Sequence, residues 1–168
     1  MINCREYVRD DYQFLREMLF EAVFWSRKDD DRPLLEEGLS YDFTKHILVD
    51  FGDRKGDIAV IAEIDGSKAG AAFIRYWNDE MNIRGYISRD IPVLVIGVVG
   101  TYRHRGVGSI LIESLKTAAI ENGISKISLC VTKSNVAYHL YTKKNFKIVQ
   151  DIESSYNMLW EAKGDTQY

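Results

Sequence analysis

The alternation of apolar and polar positions divides the chain into strands and helices. Residues 2–8 alternate as a short strand. Asp10 and Asp11 stand where helix N-caps stand. Phe14, Leu15, Met18, Leu19, Ala22 and Val23 then recur at helical spacing, which predicts a helix to about Trp25. The charged stretch 26–32 reads as a loop. Pro33 can open a short helix that Gly38 ends, and Ser40 or Asp42 can cap another reaching about Phe51. After a loop at 52–57, Ile58 to Ile64 reads as a buried strand. Asp65-Gly66 marks a hairpin, with a return strand from about Ala69 to Trp77. The polar segment 78–90 fits either a flap or a pair of short strands.

The second half is more regular. Ile91 to Val99 is apolar on both faces, as expected of a central strand covered on both sides. Val107, Ile110, Leu111, Leu115, Ala118 and Ala119 form one helical stripe, and Asn122-Gly123 supplies its stop. A strand over about Lys126 to Thr132 follows, so strand, helix and strand imply a right-handed crossover between parallel neighbours. Ala137, Leu140, Tyr141 and Lys144 are helically spaced, with Asn145 as a left-handed C-cap. Phe146, Ile148 and Val149 read as a strand, and residues 154–160 as its antiparallel hairpin partner. The order of elements is that of an α/β protein with a mixed sheet.

A length of 168 residues suits one domain with a sizeable core. The net charge of −3 argues against a general binder of nucleic acid or anionic membrane, so the basic cluster at 103–105 serves a local anion. Cys4 and Cys130 lie far apart and form no C-x-x-C pair, which predicts a reducing compartment and no metal site. No apolar run is long enough to span a membrane, and the first residues lack a signal-peptide core. The expectation is a cytoplasmic protein, monomer or homodimer.

The chemistry concentrates in residues 97–109. There the apolar strand runs into Gly106 and Gly108, set among Arg103, His104 and Arg105, with an apolar helix directly after. The first N–H groups of a helix have no partner inside it and carry the positive end of its dipole. Glycines let a ligand approach the backbone, and guanidiniums add forked donors. Together they predict a site for a phosphorylated ligand of pyrophosphate type. No stretch reads G-x-x-x-x-G-K-S/T, and Leu111 stands where G-x-G-x-x-G needs its third glycine.

Arg103-x-x-Gly106-x-Gly108 resembles the Q/R-x-x-G-x-G/A signature of the GNAT superfamily of acyl-CoA-dependent N-acetyltransferases. In the wider pattern V-x-P-x-x-R-x-x-G-x-G, Val98, Arg103, Gly106 and Gly108 match in register, with Gly100 at the proline position. Downstream, Ala137, Leu140, Tyr141 and Phe146 match N-x-x-A-x-x-L-Y-x-x-x-G-F. Ser134 holds the asparagine position, with Asn135 one place later, and Asn145 replaces the glycine. The resemblance covers nearly the whole chain. It implies one three-layer domain over 1–168, with acyl-CoA held where the strands ending at Val99 and Thr132 splay apart. It further implies cofactor contacts at Val98, Val99, Gly100, Arg103, His104, Arg105, Gly106, Val107, Gly108 and Ser109, and at Asn135, Ala137 and Tyr141.

The implied reaction is direct transfer of an acetyl group from acetyl-CoA, as cosubstrate, to an amine of a small molecule or peptide. At a pKa near ~10, only about one amine in a thousand is neutral at pH 7, so a carboxylate or a water chain leading to one is expected to take the proton. The backbone N–H of Val98 or Val99 can meet the oxyanion, Val98 being the position that matches the family's amide. Tyr141 matches the family's acid, its alternative role being packing on the cofactor. For Asn135 the alternatives are a helix cap and a hydrogen bond to the pantetheine arm. The strand Val93 to Val99 carries no acidic residue. The base is therefore sought at Asp90, Glu63 or Glu21, with Glu21 on the first helix placed to meet an amine; a relayed base or simple desolvation stays open. Trp25, Tyr76 and Trp77 either line an acceptor pocket or pack the core and rim. His104 and His139 read as surface residues without a catalytic role. No large acidic run points to a polycationic acceptor. Two other classes remain: a non-catalytic acyl-CoA-binding regulatory module, which turnover with any amine excludes, and a cofactor-free adaptor, whose melting temperature CoA leaves unchanged.

Overall fold

In the computed structural model, which describes residues 1–164, the strand segments pair into one mixed seven-stranded sheet. Strands β1 (Ile2–Glu6), β2 (Ile58–Ile64), β3 (Ser67–Arg75) and β4 (Val93–Val98) are antiparallel neighbours in that order. Strand β5 (Lys126–Thr132) lies parallel to β4. The final hairpin, β6 (Lys147–Ile152) and β7 (Ser155–Glu161), folds back so that β7 sits between β5 and β6.

Helix α1 (Tyr12–Val23) covers one face, burying Leu15, Met18 and Leu19 against Ile61, Ala71 and Phe73. The single turn α2 (Leu35–Gly38) follows. The opposite face is covered by α3 (Val107–Glu121), which connects β4 to β5. Its Val107, Leu111, Leu115 and Ala119 pack on Val60, Ala62, Ala72 and Ile74. Helix α4 (Ala137–Lys143) joins the same core through Tyr141, and Asn145 ends it at φ 65°.

Three segments depart from the sequence pattern. Asp11 does not cap α1 with its side chain. Its carboxylate accepts from the Val8 N–H at 3.0 Å, from Arg5 at 2.7 and 2.9 Å, and from Lys68 at 2.8 Å. The Arg5 guanidinium holds this buried carboxyl well below the usual carboxylate range.

The helix expected to end near Phe51 does not form, and residues 40–56 are a succession of turns. The cause is tertiary. Arg75 is wholly buried and donates to the carbonyls of Ile47 and Val49 at 3.1 and 2.7 Å, groups a helix would have spent internally. It also pairs with Asp57 through two 2.8 Å bonds, while Asp57 accepts from the Gly52 and Arg54 N–H groups. Residues 78–90 contain no strand and form turns lying against β5.

Candidate active site

Between β4 and β5 the register holds one pair, Val93 with Ser128. Beyond it the strands part and open a cleft of about 1250 Å³, lined by both strands, α1, the start of α3 and α4. The Val99 N–H donates to the Ala69 carbonyl at 2.8 Å. Successive N–H groups along a strand point to opposite sides, so those of Val98 and Ile96 face the splay. Of the two amides expected to meet an oxyanion, Val99's is therefore spent on β3 and Val98's is open. Val99 and Gly100 lie off the cleft wall; Val98 lies on it.

At the far end, Gly106 takes φ 85° and starts α3 with no side-chain cap, which leaves the first N–H groups, at Val107, Gly108 and Ser109, without an intrahelical partner. These residues line the cleft together with His104, itself at φ 62°. The two arginines of the turn differ. Arg105 lies outside the wall, its guanidinium 5.7 Å from the Tyr102 ring centroid. Arg103 reaches back across the cleft to Glu21 of α1 at 2.8 Å.

That contact alters the expectation for Glu21. Its other oxygen accepts from Arg32 at 2.9 Å, so one carboxylate is clamped between two guanidiniums. Both oxygens of that carboxylate are thus committed to charge-assisted bonds within the protein. The other candidate bases are elsewhere: Glu63 pairs with Arg5 at 2.8 Å, and Asp90 lines a separate cavity of about 330 Å³. Glu21→Gln is expected to weaken acetyl-CoA binding through Arg103 while lowering kcat by less than about tenfold, against the factor of about a hundred or more that follows loss of a general base. Steady-state kinetics across pH check this, the acid limb of the kcat profile staying in place.

On α4, Tyr141 faces the cleft, and burial pushes its phenol above the usual tyrosine range. Asn135 accepts from the Ala137 N–H at 2.9 Å, so its carbonyl oxygen caps α4; Asn135 and Ala137 both line the cleft. Trp25 and Trp77 also line the cleft, whereas Tyr76 packs against Gly56 and the smaller cavity. Sequence reasoning missed Phe43, His46, Met81, Arg84 and Cys130 on this wall. Cys130 is on β5; the others lie in the turns at 40–56 and 78–90, where apolar periodicity gives no guide to which side chains face the cleft. Among the described residues no group of three or more His, Cys, Asp or Glu side chains is arranged to hold a metal, and no helix is long and apolar enough to cross a membrane.

A parallel pair splayed beside an uncapped helix N-terminus, on this strand order, defines the acetyltransferase class of fold. The sequence model of the acetyltransferase (GNAT) family matches residues 9–146, and the chain belongs to that family. Solved structures share the architecture. A GNAT-family acetyltransferase from Streptococcus pneumoniae is 22% identical, with 97% of this chain and 100% of that chain covered and a TM-score of 0.65. PaiA N-acetyltransferase from Thermoplasma acidophilum, solved in complex with coenzyme A, is 19% identical over 96% of this chain and 99% of that one, at a TM-score of 0.69. The ribosomal-protein-alanine N-acetyltransferase of Brucella melitensis gives 18%, 95%, 99% and 0.66 in the same order. At these identities the likeness is one of fold.

Proposed function

We propose that this chain transfers the acetyl group of acetyl-CoA to an amine by direct attack in the β4–β5 cleft. The observation that carries this is the meeting, in one cleft, of an open strand amide at Val98 with an uncapped helix N-terminus. The residues fit the cosubstrate. The free N–H groups at the start of α3 suit a diphosphate, with Arg105 adding charge from outside the wall. The open seam between β4 and β5 suits the amide-bearing arm that follows it, which leaves the Val98 N–H for the thioester. Acetyl-CoA supplies an acyl group activated as a thioester.

Val98's N–H then donates to the carbonyl oxygen as negative charge gathers on it. Tyr141 donates a hydrogen bond to the departing sulfur. A thiol resembles cysteine, with a pKa of about 8.5, so a phenol raised above its ordinary ~10 stabilises the thiolate without surrendering its proton. Both cleft carboxylates are paired, Glu21 with Arg103 and Arg32, and Asp42 with Lys45 at 2.7 Å. That leaves the exposed imidazoles of His46 and His104, and solvent, to take the amine proton.

Thermal-shift titration with acetyl-CoA and CoA, followed by turnover on an amine panel, tests this function. Stabilisation approaches about 2.7 kcal/mol at a hundredfold excess over Kd. A protein unmoved by either ligand refutes it. Gly106→Val puts a β-branched residue at φ 85° and a side chain where the ligand must approach, and is expected to weaken CoA binding by about a hundredfold. Tyr141→Phe is expected to leave CoA affinity within about threefold while lowering kcat by about tenfold to a hundredfold. In the parent protein, no alkaline loss of activity from phenol ionisation should appear near pH 10, since the neutral, donating form persists above it.

A further inference from the structure

The charged side chains on the cleft wall are unequally paired. Its two carboxylates, Glu21 and Asp42, are both engaged in ion pairs. Two guanidiniums on the same wall, Arg27 and Arg84, have no carboxylate within salt-bridge distance among the described residues. Arg27 lies over the Phe24 ring. Arg84 is set more firmly. Its Nη2 donates to Ser155 Oγ at 2.9 Å and contacts Cys130 Sγ at 3.4 Å, both neutral partners. The following residue presses on β5: a Cβ at Gly85 would lie 2.9 Å from the Cys130 nitrogen. The backbone beside Arg84 is thus fixed against the strand that forms one lip of the splay. The same segment is pinned further out by Asp79, which accepts from Tyr86 and pairs with Arg89 at 3.1 Å.

A guanidinium carries five N–H donors in a planar fork. Arg84 spends only Nη2 on the protein, so Nη1 and Nε remain for a ligand. An arginine held in place by neutral groups, open to the cleft and lacking a counter-ion, is built to receive an anion. Large apolar side chains share this wall, among them Trp25, Phe43, Trp77 and Met81.

Building on the acetyltransferase function above, we propose that the acceptor is an amine that also bears a carboxylate and an apolar body, of amino-acid size, with Arg84 binding the carboxylate. Diamines and polyamines are disfavoured, because the cleft offers them no unpaired acidic group.

The test reads binding, so it does not depend on turnover. N-acetyl-L-amino acids with apolar side chains, which are products of the proposed reaction, are titrated against their C-terminal amides, with and without CoA, following tryptophan fluorescence. At least one acid is expected to bind about tenfold or more tightly than its amide. Arg84→Gln is expected to abolish that preference, and Arg84→Lys to restore part of it. The melting temperature of each variant reports folding. Equal binding of acid and amide, survival of the preference in Arg84→Gln, or failure of every acid to bind overturns the assignment of Arg84. If CoA binds and amines without a carboxylate are acetylated as fast as matched amino acids, the acetyltransferase function stands and the acceptor class falls. If no CoA is bound, it is the function itself that fails.

Discussion

Arg75→Met is expected to destabilise the protein by roughly 3–5 kcal/mol, the range for leaving one member of a buried ion pair alone. Arg75 and Asp57 both have side chains only 1% exposed, and Asp57 cannot regain water without unfolding its surroundings. The loss is wider than one pair. The carbonyls of Ile47 and Val49 lose their donor, and Asp57 holds the Gly52 and Arg54 N–H groups from the same point. The turns at 40–56, which carry His46 and Phe43 to the cleft, should loosen first. Urea denaturation measures the change, and the paired replacement Arg75→Met with Asp57→Leu should recover only part of it: no charge is then left buried, but the Ile47, Val49, Gly52 and Arg54 backbone groups stay without these partners.

Gly97→Ala is expected to cost at least about 3 kcal/mol, an unusually large effect for one added methyl group. A Cβ at that position would lie 2.2 Å from the Met18 carbonyl oxygen and 2.9 Å from its carbon, both backbone atoms of α1. A side chain could rotate away; a helix backbone must move as a body. Lifting α1 from β4 would also pull Glu21 from Arg103, so CoA affinity should fall together with the melting temperature. Gly100→Ala is the control. Nothing lies within 4 Å of its added carbon, and the change should stay within about 0.5 kcal/mol.

The contrast between these glycines shows what a sequence reveals and what it withholds. Patterns set by local chemistry were legible. Ile58–Ile64 forms the strand expected, Asp65 and Gly66 turn the hairpin at φ 50° and 81°, and Asn145 and Gly123 end their helices with positive φ. The glycine that opens α3 was legible too as a backbone feature, since Gly106 takes φ 85°. What depended on distant partners was not. Residues 40–51 have helical signals, but a buried arginine on β3 takes their carbonyls. Glu21 lies on the expected helix, yet its role is set by Arg103, 82 residues away. Val98 and Val99 are indistinguishable by composition, and only the ladder with β3 tells which amide is free. Arg84 lay in a polar segment with no period to read.

The single register pair between β4 and β5 also bears on how the molecule trades hydrogen with water. Along β4, the Val99 amide is locked into β3 while those of Ile96 and Val98 face an open seam. Exchange along this one strand is therefore set to alternate, slow on one side and fast on the other. That pattern comes from topology, since the segment sits within the core of the sheet. A ligand lying in the seam behaves as a temporary eighth strand. It would erase the alternation, so that binding is read directly in the slowed exchange of the Ile96 and Val98 amides.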